Sequence, residues 1–74
     1  MTLLQALEAI DNQIHHVTST EAESIIATRK PFGRFWTRCE NKQGKVYVGI
    51  ENLYGDAWTE DFKSKKACMN WLTN

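Results

Sequence analysis

Hydrophobic positions change their spacing twice along this 74-residue chain. Leu3, Leu7, Ile10, Ile14 and Val17 recur every three or four residues, which gathers them on one helical stripe. Gln5, Glu8, Asp11, Asn12 and Gln13 fill the polar side. The pattern predicts an amphipathic N-terminal helix over about residues 3–16, opened by a capping box of Thr2 with Gln5. Thr18-Ser19-Thr20 interrupts it, and Thr20 with Glu23 offers a second capping box. A short second helix is expected over about 21–29, with Ala22, Ile25 and Ile26 as its buried edge and Pro31 as its stop. A β-strand at Ile25–Thr28 is the rival reading of that segment.

From Gly33 the period falls to two. Phe35, Thr37 and Cys39 alternate with Arg34, Trp36 and Arg38, and Val46, Val48 and Ile50 alternate with Tyr47, Gly49 and Glu51. Asn41-Lys42-Gln43-Gly44 between them fits a type I turn closed by a glycine bulge. That register pairs Cys39 with Tyr47 and Trp36 with Ile50. A turn at Asn52–Asp56 leads to a third strand, Ser64 is a natural N-cap, and Ala67, Cys68, Trp71 and Leu72 share the inner face of a last helix. The expected architecture is α+β: two N-terminal helices, a three-stranded antiparallel meander (about 33–40, 45–51 and 57–61), and a C-terminal helix (about 65–73) on one face of the sheet. Two sets compete for the core: Trp36 with Val46, Val48 and Ile50, or Phe35, Cys39 and Tyr47.

Length changes the picture by setting how much such a core can do. Residues 1–74 make a single small domain, and cores of this size rarely supply more than about 3–5 kcal/mol without a staple. Cys39 and Cys68 are too few for a disulfide scaffold, and no Cys/His spacing suggests zinc. A stable protein partner or a homodimer is therefore the expected staple. No apolar run is long enough to span a membrane, and Met1–Ile10 lacks the basic start of a signal peptide. With free cysteines, this leads to the expectation of a cytoplasmic protein.

The formal net charge is zero, but residues 1–28 carry −4 and residues 29–74 carry +4. All eight Phe, Trp and Tyr residues lie between positions 32 and 71. Arg34, Trp36 and Arg38 share one strand face, where cations flanking an aromatic ring suit a phosphate backbone and a stacked base. The plainer alternative makes Trp36 core, with the arginine stems along its edge. Lys63, Lys65 and Lys66 open the last helix, which is similar to the double-stranded-RNA-binding domain in size, element order and lysine cluster. The chain departs from that domain in Cys68-Met-Asn-Trp71 after the lysines and in Asn41-Lys-Gln-Gly44 between the first strands.

Catalysis finds little footing. His15 and His16 would point about 100° apart on a helix and so not share one metal. Cys39 and Cys68 read as small core residues, Glu60 and Asp61 face opposite ways on a strand, and no glycine-rich phosphate loop occurs. No enzyme activity, cofactor or metal is expected.

The stretches Thr28-Arg-Lys-Pro-Phe-Gly33, Tyr47–Asn52, Gly55–Phe62 and Cys68–Leu72 resemble short, uncharacterised proteins of low-GC Gram-positive bacteria and their phages. The resemblance implies a mobile-element accessory protein and no particular activity. The leading expectation is a protein-protein interaction module using Arg34, Arg38, Tyr47 and Tyr54 on the outer sheet face. Nucleic-acid binding through that face plus Lys63, Lys65 and Lys66 ranks second.

Overall fold

The computed structural model describes residues 14–73. The capping box at Thr2 and the body of the expected N-terminal helix lie outside them. The described end of that helix is instead a strand, β1 (Ile14–His16). It is followed by α1 (Ser19–Thr28), β2 (Gly33–Asn41), β3 (Gly44–Asn52), β4 (Trp58–Phe62) and α2 (Lys65–Thr73).

The strands form one sheet in the order β1-β2-β3-β4. β2, β3 and β4 make the expected antiparallel meander, and β1 adds a fourth, parallel strand beside β2. Crossing from β1 to the parallel β2 needs a long connection, and α1 lies within it. Its cap sits two residues earlier than the Thr20–Glu23 reading. The Thr18 hydroxyl accepts from the Glu21 amide at 3.1 Å, and the Glu21 carboxylate accepts from the Thr18 amide at 3.2 Å. These bonds hold the Glu21 carboxyl below its ordinary value. The helix ends in a left-handed Arg29, whose amide donates to Ile25 O at 2.7 Å. Ile25–Thr28 is helix rather than strand.

The β2–β3 register differs from the expected one by a single residue. Asn41 pairs with Gly44 across a two-residue turn, Lys42-Gln43. The Asn41 side chain accepts from the Gln43 amide at 2.8 Å, and Gly44 takes φ 115°. No extra residue enters the ladder, so Cys39 faces Val46, Trp36 faces Gly49, and Arg38 faces Tyr47. One step of register exchanges every cross-strand partner.

That register settles the core. On one face Phe35 and Ile50 are paired and buried, with Ala22 and Ile25 of α1 over them and Val17 and Val48 at the margin. On the other face α2 lies across β3 and β4, burying Cys68 and Leu72. Gly49 makes that approach close: a Cβ there would stand 2.9 Å from the Trp71 ring and 3.3 Å from Cys68 Sγ. Trp71 also meets Phe62 at 5.7 Å between ring centroids. The two helices therefore sit on opposite faces, giving three layers where a two-layer packing was expected. The parallel strand and the opposed helices also depart from the helix, three strands, helix order behind the RNA-binding-domain comparison.

Candidate interaction surfaces

The strand face under α2 carries Arg34, Trp36 and Arg38 from β2, Tyr47 from β3 and His16 from β1. His16 stacks on Trp36 at 4.2 Å between centroids, and Tyr47 stands 6.2 Å from the same ring. Lys65, in the first turn of α2, reaches back so that its Nζ lies 4.9 Å from the Trp36 ring centre. Ser64 sets this turn, its hydroxyl accepting from the Ala67 amide at 3.1 Å. Trp36 is thus occupied by a histidine and a lysine, neither exposed as a stacking platform nor closed into the aliphatic core.

Of the sequence-derived site residues, Arg38, Tyr47 and Lys65 come together around Trp36. Lys63 directly follows Phe62, the β4 partner of Tyr47, and Lys66 follows Lys65 in the first turn of α2. Arg34 shares their face but lies at the far end of β2, opposite Glu51. Tyr54 is separate altogether, in the loop between β3 and β4. One proposed surface has become two.

The second surface is built on Asn52, whose side chain is fully buried. Its amide nitrogen donates to Pro31 O at 2.9 Å, and its carbonyl oxygen accepts from the Ala57 amide at 3.1 Å. One side chain thereby ties the α1–β2 loop to both ends of the β3–β4 loop. Ala57 is held at φ 50°, a left-handed conformation unusual for alanine. Phe32 lies against Gly55, which turns the chain at φ 82°. Around this clamp Phe32 is 62% exposed, Tyr54 85% and Trp58 66%. Sequence reasoning singled out Tyr54 and missed Phe32 and Trp58. Their positions beside turn glycines and a strand start were the available signal, but exposure depended on the register.

An open groove of about 650 Å³ runs between α1, β1 and the Lys30–Phe32 loop. Its polar groups do not converge: Glu21 is committed to its cap and His15 lies against Phe35 at 5.8 Å. His15 and His16 fall on opposite sheet faces, and no group of three metal-ligating side chains occurs among the described residues. Both cysteines are free, and burial pushes the Cys68 thiol up, away from thiolate reactivity. No described helix is long and apolar enough to cross a membrane.

The chain matches no protein-family profile, no curated protein and no solved structure.

Proposed function

We propose that this chain is a non-enzymatic protein-interaction module that docks through the aromatic end of its sheet. The observation that carries the reading is the Asn52 clamp under Phe32, Tyr54 and Trp58. Exposing three large aromatic side chains is costly in water, and single scattered ones need no explanation. Three on two loops and the strand start beside them, tied by one buried amide, are different. They present apolar area without a large ordering cost on binding, which is how interfaces concentrate their energy in a few aromatic residues. The partner is a protein offering apolar pockets at its surface. The resemblance to small phage and mobile-element proteins supports an accessory role of this kind, in a cytoplasmic setting.

The test is capture from extracts of a low-GC Gram-positive host with the wild-type chain and with a Phe32→Ser/Tyr54→Ser/Trp58→Ser variant. Circular dichroism should give the two the same folded spectrum, because none of the three side chains is buried. The expected result is a protein held by the wild type and released by the variant, then reconstituted from purified components. Equal recovery by both would place the contact elsewhere and end this reading.

A further inference from the structure

The opposite end of the sheet has a different character. Arg38 near the end of β2, Lys42 in the β2–β3 turn, Lys45 at the start of β3, and Lys63, Lys65 and Lys66 around the start of α2 are all exposed. The register brings them to one end. Arg38 faces Tyr47, Tyr47 faces Phe62, and Lys63 follows Phe62 directly. Lys65 spans from α2 to Trp36, two residues from Arg38. Against these six cations stand three acids: Glu40, opposite Lys45 and 3.9 Å from Arg38 in an exposed pair, and Glu60 and Asp61, just before Phe62 on β4. Lys42, Lys45, Lys63 and Lys66 form no ion pair among the described residues.

Such crowding opposes folding. Like charges repel, and lysines in a first helical turn face the positive end of the helix dipole. An anionic partner would turn that cost into binding energy.

We infer that this cationic end holds the phosphodiester backbone of a nucleic acid, independently of base sequence. Two features favour phosphates over an acidic protein. Among the described residues the large exposed hydrophobics are Ile26, Phe32, Tyr54 and Trp58, and none lies here. A protein interface without apolar anchors is poorly equipped, whereas phosphate contacts need only cations. Five of the six are lysines, which act as mobile point charges rather than as planar forks fitted to one carboxylate. Trp36 is engaged by His16 and Lys65, so the contact is to backbone and not to stacked bases.

Fluorescence anisotropy with a labelled single-stranded RNA and a labelled DNA duplex tests this at about 20 mM and about 150 mM salt, the lower being where phosphate contacts are strongest. Binding is expected at low salt and should weaken steeply as salt rises. Whichever probe binds more tightly identifies the source of the backbone. The Lys63→Gln/Lys65→Gln/Lys66→Gln variant should lose at least roughly tenfold in affinity at low salt and flatten the log–log salt dependence by about 2. Lys45→Gln, on the other side of the cluster, should weaken binding separately and covers any folding defect in the helix variant. Arg29→Gln/Lys30→Gln, at the aromatic end, should leave binding within roughly twofold. Absence of binding at low salt overturns the inference. So does an equal loss in the Arg29/Lys30 variant, or competition by polyglutamate as effective per charge as RNA.

Discussion

The two ends of this sheet are built by opposite means. At the aromatic end, two loops are fixed by one buried side chain, Asn52, and apolar surface is left in water. At the cationic end, a two-residue turn and a helix start need no buried polar group, and what is left in water is charge. The first end is ordered from within and has its cost on the outside as exposed ring area. The second is ordered by local backbone geometry and has its cost as repulsion. The difference teaches that a small domain can carry two unlike surfaces if the layers between them supply the stability. Here those layers are α1 over Phe35 and Ile50, and α2 over Gly49.

The contrast is broken most severely at Asn52. Replacing it with Ala leaves the Pro31 carbonyl and the Ala57 amide without their partner, and each such buried group costs about 1–3 kcal/mol. Asn52→Ala should lower unfolding free energy by about 3 kcal/mol in urea titrations, with faster amide exchange concentrated in residues 53–57. Unchanged stability would mean that the loops order themselves.

The cationic end should give way more gently. Gly44 has open space around it, so only its φ of 115° resists a side chain. Gly44→Ala is expected to cost about 1 kcal/mol, read by the same titration, while leaving amide exchange at the aromatic end as it was. A spread of the effect to residues 53–57 would show that the ends are coupled through the sheet.

The smallest effect sharpens the contrast by its sign. The Lys63→Gln/Lys65→Gln/Lys66→Gln variant removes charge repulsion and dipole opposition but also the Lys65–Trp36 contact. A net gain of up to about 0.5 kcal/mol is expected at low salt. The gain should vanish at high salt, where screening already relieves the wild type. A loss at both salt levels would mean that the Lys65–Trp36 contact outweighs the repulsion among the lysines.

Much of the scaffold was legible in the residues because its signals are local. Period-two alternation gave the meander, and Ser64 with Cys68 and Leu72 gave α2 at its observed bounds. Gly44 and Gly55 sit at positive φ where turns were expected. What was not legible depended on a single residue of alignment or on distant partners. Ile14 and Val17 fit a helical stripe, and three residues of β1 are too few to show a period of their own. Thr18 and Thr20 each stand three before a glutamate, so the capping signal was degenerate. The glycine-bulge reading of residues 41–44 added one residue to the hairpin and moved Trp36 from Gly49 to Ile50. Asn52 looked like a turn residue because nothing nearby in sequence reveals that it bridges to Pro31, 21 positions away. The interaction surface split for the same reason: Tyr54 and Arg38 are both residue types that suit an interface, but the fold sends them to opposite ends.

All three tryptophans stand on the α2 side of the sheet: Trp36 beside His16, Trp58 across from Glu51, and Trp71 over Gly49. The α1 side has none. Intrinsic fluorescence therefore watches only half of this molecule. Detachment of α1 from Phe35 would pass unseen in an emission spectrum while far-ultraviolet dichroism recorded it, so the two signals together would separate the loosening of one layer from the loss of the whole.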